Sequence, residues 1–428
     1  MEKRYTGIRT RQGSFCVNRD HIVISDVSDA HIFDNQEEAY AAGGVMKGIN
    51  LSIFGMAALT DTPNEKGAFA LASNATLVNE GVIEIHTAEI VKKYGSLIRK
   101  SINDKNFRYG FIKFFAMMAG DNSVIINNGV VKVYFDHDPD EEATVYSNLL
   151  FAGCNSLVVN NGELHILGNG AYNTHPRPMS MPKYNVALVN NGLINVDVER
   201  AATVRCMATT AWGGSITNLG KIKVKSTGRI MTLGRFADTA ILNAGEIDVT
   251  SIPMLLENKV PFLYQNDPLA CALYHHSHPA KAGDQPRSPI INSGTIKVHL
   301  VGDENTPKTS LAFGIYAEMA EKDDKKFAFE NTGSITVTKS GPYDYQTAEM
   351  GVNVQSPNDA PFPVVIRKWN TPQRDFGKTK DLIVCGNGIF DLKEAEFFTP
   401  DGKPLSKENV VWQNEVNAKR GDTLEIIG

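Results

Sequence analysis

One nine-residue phrase, repeated along the chain, constrains the fold more than any other feature of this sequence. The phrase reads apolar, any, Asn, any, Gly, any, apolar, polar, apolar. Eight complete copies stand at residues 77–85, 125–133, 158–166, 188–196, 216–224, 241–249, 290–298 and 329–337. A ninth copy at residues 384–392 has Gly386 where the others have Asn. Internal repetition of this kind is typical of a solenoid.

The phrase predicts two short β-strands joined by a tight turn. Asn and Gly are residues that tolerate left-handed backbone, so we expect the motif Gly to adopt a positive φ. The residues after Gly alternate apolar and polar, which is the pattern of a strand with one buried face. One such unit cannot bury its apolar face alone, so successive copies should stack and pair equivalent strands in a parallel sheet.

The spacing between motif copies indicates how many strands each coil contains. It falls to 25 residues between Asn218 and Asn243 and is larger elsewhere, so the surplus residues should form projecting loops. Most copies are preceded by a further apolar run, such as residues 110–117 and 229–233. We therefore predict an all-β fold: a single-stranded right-handed parallel β-helix, or solenoid, with three strands per coil and capped ends. A β-propeller, the main alternative, would need a steadier repeat length and four strands per repeat.

The two ends of the chain do not follow the phrase. We expect residues 1–70 to form an N-terminal cap with irregular first coils and residues 71–392 to form the β-helix with its long inserted loops. Residues 393–428 should form a C-terminal cap. Caps of this kind protect the open edges of the terminal coils.

The motif asparagines should stack in one internal column, which we call the Asn ladder. Its predicted members are Asn79, Asn127, Asn160, Asn190, Asn218, Asn243, Asn292 and Asn331. The polar positions of the strand that follows should line a solvated outer face, on which opposite charges adjoin, as at Glu84 and Lys132.

Charge and hydropathy exclude several classes of function. The formal net charge is -5 and no long run of Lys or Arg occurs, so we expect no binding to nucleic acid. No stretch of 18 apolar residues is present, which predicts that no transmembrane segment exists. The N-terminus lacks the apolar region of a secretion signal, which leaves a cytoplasmic location open.

The cysteines are odd in number, far apart and never in a C-x-x-C pair, at Cys16, Cys154, Cys206, Cys271 and Cys385. This usage predicts free thiols rather than a disulfide framework or a zinc site. Cys154 and Cys206 stand in apolar runs, so we expect both in buried strands.

The repeated phrase, over roughly residues 70–392, resembles the coils of bacterial autotransporter passenger domains and of pectate-lyase-like β-helix adhesins. The resemblance implies a location at the cell surface or outside the cell. It also implies a partner, either a cell-surface protein or a glycan, and it leaves an oligomer open. Passengers of this kind include adhesins, self-associating factors, proteases and toxins, so the resemblance specifies fold more narrowly than function.

A second large group with this fold acts on polysaccharides, and such chemistry needs paired carboxylates or a Ca²⁺–carboxylate cluster. Among the outward positions after the motifs, only Glu84 and Asp248 are acidic, and they stand far apart. No G-x-S-x-G, P-loop or H-E-x-x-H motif occurs. We therefore predict a non-catalytic interaction protein without a cofactor. A polysaccharide lyase or hydrolase and a structural component of a fibre-like assembly are the alternatives.

Candidate binding residues lie in the surplus sequence between motifs, which the coil itself does not require. They are Tyr274, His275, His276, His278, Tyr343, Tyr345 and Trp369. Three histidines within four residues have the chemistry to bind a transition metal, although the spacing matches no standard site. Weak candidates for a hard cation are Asp136, Asp138 and Asp140, for which a solvated acidic loop is the plainer interpretation. Trp212 is either a sugar-stacking platform or a packed corner residue.

Overall fold

The structure is a computed structural model. It describes residues 2–26, 50–63, 69–94, 111–137, 143–170, 173–181, 183–209, 213–236, 239–253, 269–276, 288–302, 311–320, 329–341 and 347–355. Short strands are also described at 363–367, 381–386, 389–390, 396–398, 404–405 and 425–426. The described elements are β-strands and one short helix at residues 88–94.

The strands follow one another in coils of similar layout. Coil 1 contains β1 (Glu2–Thr10), β2 (Phe15–Asn18) and β3 (His21–Ile24). Coil 2 contains β4 (Asn50–Pro63), β5 (Phe69–Leu71), β6 (Thr76–Asn79) and β7 (Val82–His86). Coil 3 contains β8 (Phe111–Met118), β9 (Val124–Asn127) and β10 (Val130–Asp136). Coil 4 contains β11 (Thr144–Asn148), β12 (Leu150–Phe151), β13 (Leu157–Asn160) and β14 (Glu163–Asn169). Coil 5 contains β15 (Asn173–Arg177), β16 (Met179–Met181), β17 (Val186–Asn190) and β18 (Leu193–Glu199). Coil 6 contains β19 (Thr203–Val204), β20 (Met207–Thr209), β21 (Gly214–Asn218) and β22 (Lys221–Ser226).

Coil 7 contains β23 (Arg229–Arg235), β24 (Ala240–Asn243) and β25 (Glu246–Ser251). Coil 8 contains β26 (Leu269–His276), β27 (Ile290–Asn292) and β28 (Thr295–Val301). Coil 9 contains β29 (Leu311–Ala320), β30 (Phe329–Asn331) and β31 (Ser334–Ser340). The remaining strands are β32 (Thr347–Gln355), β33 (Pro363–Arg367), β34 (Asp381–Gly386), β35 (Ile389–Phe390), β36 (Glu396–Phe398), β37 (Pro404–Leu405) and β38 (Glu425–Ile426).

Equivalent strands of successive coils pair in parallel and form three long faces. The Asn sheet runs β2-β6-β9-β13-β17-β21-β24-β27-β30, and the second sheet runs β3-β7-β10-β14-β18-β22-β25-β28-β31. The third face consists of β1-β4-β8-β11-β15 followed by β16-β20-β23-β26-β29-β32. Its two parts are joined by backbone hydrogen bonds such as that from Leu150 N to Pro178 O. The predicted parallel β-helix is therefore confirmed. The three predicted strands of a coil correspond to the three faces, and the strand of the third face is divided into two shorter strands in coils 4, 5 and 6.

The predicted Asn ladder is confirmed and begins one coil earlier than expected. Each buried amide donates from Nδ2 to Oδ1 of the next, at 2.7–2.8 Å, from Asn18 through every predicted member to Asn331. Asn18 escaped the sequence pattern because its phrase has Asp20 in place of Gly. Residues 2–24 thus form a coil whose strands lie in register with those of coil 2.

The motif glycines are needed for close approach between coils, and the expected positive φ was wrong. Glycines with positive φ in the described part of the chain lie outside the phrase, at Gly13, Gly168, Gly213, Gly214 and Gly341. A Cβ on Gly192 would instead lie 2.0 Å from the carbonyl oxygen of Gly162 on the preceding coil. The same clash, at 2.0–2.1 Å, would arise at Gly129, Gly162, Gly220, Gly245, Gly294 and Gly333.

Left-handed asparagines mark the other corner of the Asn sheet, where the chain enters it. Their φ values lie between 53° and 57°, at Asn74, Asn122, Asn155 and Asn185. Asn is one of the few residues besides Gly that adopts this conformation readily. The backbone N–H of Asn155 donates to Tyr184 O of the next coil at 3.0 Å, so this corner is also stacked.

The core is filled by the inward side chains of all three faces, and residues such as Ile125, Leu164 and Leu188 are fully buried. The outer face of the second sheet is polar, as predicted. Lys132 and Glu84 form an ion pair there at 3.2 Å between Nζ and Oε1.

Two sequence predictions need correction. The ninth motif copy does not continue the Asn sheet, because β34 pairs with β32 on the third face. Gly386 has no side-chain amide with which to extend the ladder. Cys154 is half-buried in the turn before β13 rather than in a buried strand. Cys206 is buried as expected, and burial raises the pKa of its thiol. No disulfide joins the described cysteines, Cys16, Cys154, Cys206 and Cys271, while the side chain of Cys385 lies outside the described ones.

Candidate functional site

The outer side of the third face carries arginine and aromatic side chains on successive coils, which we call the arginine–aromatic strip. Strand alternation places them there, because neighbours such as Val145, Val204 and Ile230 point into the core. The strip runs from coil 4 to coil 8 and comprises Tyr146, His175, Arg177, Arg205, Arg229, Phe236, Tyr274 and His276.

At one end of the strip, two rings and a guanidinium group are stacked. Tyr146 and His175 are register partners on β11 and β15, and their ring centroids lie 4.5 Å apart at an interplanar angle of 10°. The guanidinium carbon of Arg177 lies 4.4 Å from the centroid of the Tyr146 ring. Such cation–π contacts fix the direction of a long side chain that would otherwise be mobile.

Two further guanidinium groups repeat this arrangement on the next coils. Arg205 lies 4.3 Å from the centroid of Phe236, and Arg229 lies 5.7 Å from that of Tyr274. The rings of Phe236 and Tyr274 are themselves 5.1 Å apart. The strip continues into a second apolar cluster outside the main core, formed by Met231, Cys271, Phe313 and Tyr316 together with Tyr274.

The electrostatics of the strip are set by its arginines. Burial, together with the nearby charges of Arg177 and Arg205, holds the pKa of His175 well below its usual range, so the imidazole is neutral. The Asn173 amide donates to Thr144 Oγ1 at 2.9 Å, so its Oδ1 accepts a hydrogen bond from His175 Nε2 at 2.8 Å. His175 Nδ1 is then a buried acceptor without a hydrogen-bond partner in the described part of the chain.

No member of the strip is acidic. Guanidinium groups form bidentate hydrogen bonds with carboxylates, and ring faces bind flat or weakly polar surfaces. Arg177, Arg229 and Tyr146 are half-buried, so each still meets solvent. The arrangement is therefore suited to an anionic ligand that lies along the coils.

A comparison with known protein families identifies the family to which this region is similar. The family model described as the BigA third pectate lyase-like domain matches residues 140–355, just over half of the chain. The chain belongs to this family. The match covers coils 4 to 9 and so contains the whole arginine–aromatic strip. The pectate-lyase-like part of the sequence resemblance is confirmed. No curated protein matches the chain. No solved structure matches it either.

Three of the predicted binding residues lie within the family match and on β26, rather than in a projecting loop. Tyr274 and His276 lie on the outer side of the sheet and belong to the strip, where Tyr274 is buried at 3% exposure and His276 is half-buried. His275 faces the interior, where it accepts a hydrogen bond from Arg235 Nε at 2.9 Å. His275 and His276 therefore point to opposite sides of the sheet, which prevents them from ligating one ion.

The other candidates are placed less fully. Asp136 is exposed at the end of β10. The remaining predicted residues lie outside the described part of the chain: Asp138, Asp140, Trp212, His278, Tyr343, Tyr345 and Trp369. Across the described residues, no three His, Cys, Asp or Glu side chains are grouped so as to hold a metal. The short helix at residues 88–94 is too short to cross a bilayer, and the described chain contains no longer apolar helix.

Sequence reasoning missed most of the strip, including Tyr146, His175 and all three arginines. A signal was present, because these residues alternate with the inward apolar residues of the strand that precedes each motif. Assigning an inward and an outward side to those strands would have found them.

A buried histidine on coil 3 gives the fold a testable pH dependence. His137 is 4% exposed, and burial lowers its pKa from 6.5 to about 4. The Thr87 hydroxyl donates to Tyr134 O at 3.0 Å, so His137 Nε2 carries the proton shared with Thr87 Oγ1 at 2.6 Å.

Because the unfolded histidine binds a proton near pH 6.5 and the folded one only near pH 4, stability is full above pH 6.5 and falls below it. The loss from His137 should be about 2–3 kcal/mol at pH 4.5. We expect urea unfolding at pH 7 and pH 4.5 to show a drop smaller by that amount in His137→Gln than in the wild-type chain. His299→Gln, at a half-buried histidine on the outer side of β28, should behave as wild type; equal drops in all three proteins would contradict the assignment.

Proposed function

We propose that this protein is a non-catalytic binding protein of the bacterial cell surface, whose arginine–aromatic strip binds a carboxylated glycan. The observation that supports this is the set of three guanidinium groups held against aromatic rings on neighbouring coils, at 4.3–5.7 Å. The surface location is part of the proposal and comes from the resemblance of the repeat to autotransporter passengers.

The strip suits a polymer with regularly spaced carboxylates. Successive coils of a parallel sheet lie about 4.8 Å apart, so the half-buried Arg177 and Arg229, on coils 5 and 7, offer charge two coil spacings apart, with the buried Arg205 between them. A guanidinium group that is already oriented by a ring loses little freedom when it binds a carboxylate. Aromatic rings beside it add contact area for the faces of sugar rings.

A polysaccharide-active enzyme is the second candidate, and the pectate lyase-like family supports it. A Ca²⁺-dependent lyase would need several carboxylates to bind the cation. The described side chains of the strip supply arginine, histidine and aromatic groups instead. The strip can therefore hold an anionic chain, but its described side chains supply no carboxylate that would bind a Ca²⁺ ion.

The proposal is tested by calorimetry with the full chain and polygalacturonate, with neutral dextran as the comparison polymer. We expect binding to polygalacturonate alone, weakened about tenfold by Arg177→Ala or Arg229→Ala, since each removes one charge-assisted pair of hydrogen bonds. Lys223→Ala removes the same charge from the outer face of the second sheet and should leave affinity unchanged.

Three results would contradict the proposal. They are equal binding of both polymers, loss of affinity in the Lys223→Ala control to the same degree, and full affinity in both arginine variants.

A further inference from the structure

The outer face of the Asn sheet is uncharged along eight coils, in contrast to the other faces. The position before each ladder asparagine is Val, Ile, Leu or Thr from Val17 to Ile291. The parallel row two residues earlier in each strand also contains no charged side chain. Phe15 and Leu157 in this row are 70% and 38% exposed, unusual values for large apolar side chains. We call these two rows the aliphatic face.

The aliphatic face is also regular. All nine strands of the Asn sheet pair residue for residue, without a register shift. The rows are therefore straight, as a sheet needs if it is to pack face to face against another sheet.

We propose that the aliphatic face is the contact between two copies of this chain, packed with their helix axes antiparallel. The outer row changes in size along its length: coils 1, 3 and 4 carry Phe15, Val124 and Leu157, whereas coils 5, 6 and 7 carry Ala187, Ser215 and Ala240. A two-fold axis parallel to the strands, between coils 4 and 5, places Leu157 and Val124 of each copy against Ala187 and Ser215 of the other, while Phe15 meets Pro289 and Ala240 meets Thr76. A parallel arrangement would place large against large.

The estimated area places this contact among the smaller specific interfaces. Eight strands about 4.8 Å apart and a width of about 15 Å give on the order of 1,000 Å² in total for the pair, near the lower limit for a specific interface. Because neither row carries a charge, the two copies meet without like-charge repulsion. The pair should therefore be reversible and form at micromolar concentrations.

Sedimentation equilibrium of the full chain tests the pairing, over roughly 5–500 μM. We expect the average mass to rise from one chain towards two, and Val159→Lys to weaken the pairing at least tenfold. Thr217→Lys, on the same face two coils away, should act alike and carries the test if the first variant fails to unfold cooperatively. Asn195→Lys places the same charge on the second sheet and should pair as wild type.

A wild-type chain that stays monomeric throughout would overturn the proposal, and would leave the face to a different partner. Undiminished pairing in both variants of the face, or equal weakening by Asn195→Lys, would also overturn it.

A charge-exchange experiment tests the antiparallel arrangement. Val124 on coil 3 should face Ser215 on coil 6 of the other copy. Val124→Glu and Ser215→Lys should each pair poorly alone, and an equimolar mixture should regain pairing, because the new charges meet across the contact. In a parallel pair these positions lie three coils apart, so a mixture that pairs no better than its components would overturn this arrangement.

Discussion

Replacing Gly192 with Ala should lower the free energy of unfolding by about 4 kcal/mol or more, a large effect for a single methyl group. The added Cβ would lie 2.0 Å from the carbonyl oxygen of Gly162 and 2.8 Å from Asn161 C. Both atoms belong to the backbone of the preceding coil, which cannot rotate away as a side chain can. The clash can be relieved only if the coils that carry Gly162 and Gly192 move apart. This movement would stretch the hydrogen bonds of the Asn ladder.

Gly234→Ala is the matched control for this prediction. A Cβ there would meet Phe236 at 3.4 Å and Ala208 Cβ at 3.6 Å, which are ordinary contacts with side chains. We expect a change below about 1 kcal/mol. Equal midpoints of chemical unfolding for the two variants would show that the close approach of the motif glycines does not limit the fold.

Replacing Asn190 with Leu should cost about 3–4 kcal/mol, because it leaves the buried acceptor Asn218 Oδ1 and one N–H of Asn160 Nδ2 without partners. The bond from Asn160 Nδ2 to Leu193 O at 3.2 Å remains. Asn190 Nδ2 donates to Asn218 Oδ1 at 2.8 Å, and its Oδ1 accepts from Asn160 Nδ2 at 2.8 Å. The variant removes both bonds in the middle of the ladder. The amides of Asn160 and Asn218 remain buried, so water cannot replace what is lost.

The neighbouring asparagine provides the control. Asn191 is exposed and donates to Asn161 Oδ1 at 2.7 Å in a second row of amides on the surface. Asn191→Leu should change stability by less than about 0.5 kcal/mol, since water satisfies the groups that it leaves. A thermal midpoint for Asn190→Leu as high as that of Asn191→Leu would show that the internal ladder contributes little.

The parts of the fold that the sequence predicted are those where stacking requires one residue type. A buried amide at each coil is needed to satisfy its neighbours, so the ladder from Asn79 to Asn331 was visible in the phrase. The first coil was missed because Asp20 replaces the motif Gly. The role of the glycines was misread, because the close approach of Gly162 and Gly192 arises only after the coils are stacked.

The candidate site was harder to predict, since outward positions are free of the stacking constraint. Arg177 and Arg205 stand 13 residues, and Arg229 stands 14 residues, before the ladder asparagine of their coil, but the residue type at this place changes on other coils, as at Ser147, so it forms no repeated phrase. The three arginine side chains become neighbours only in the folded protein, because their alignment depends on where each coil begins its strand of the third face. The left-handed corner of the Asn sheet is easier to predict from the sequence than the strip. Its asparagines each stand five residues before a ladder asparagine, at Asn74, Asn122, Asn155 and Asn185.

The proposed binding function can be tested by incubating the full chain with polygalacturonate and following both retention of the protein on the polymer and the length of the polymer. We predict that the protein is retained through its arginine–aromatic strip and that the polymer keeps its length, with no new reducing ends and no ultraviolet absorbance from unsaturated uronate ends. New chain ends that increase with time and protein concentration would contradict a binding protein and establish an enzyme. A protein that is neither retained nor active would contradict the assignment of the strip to a carboxylated glycan.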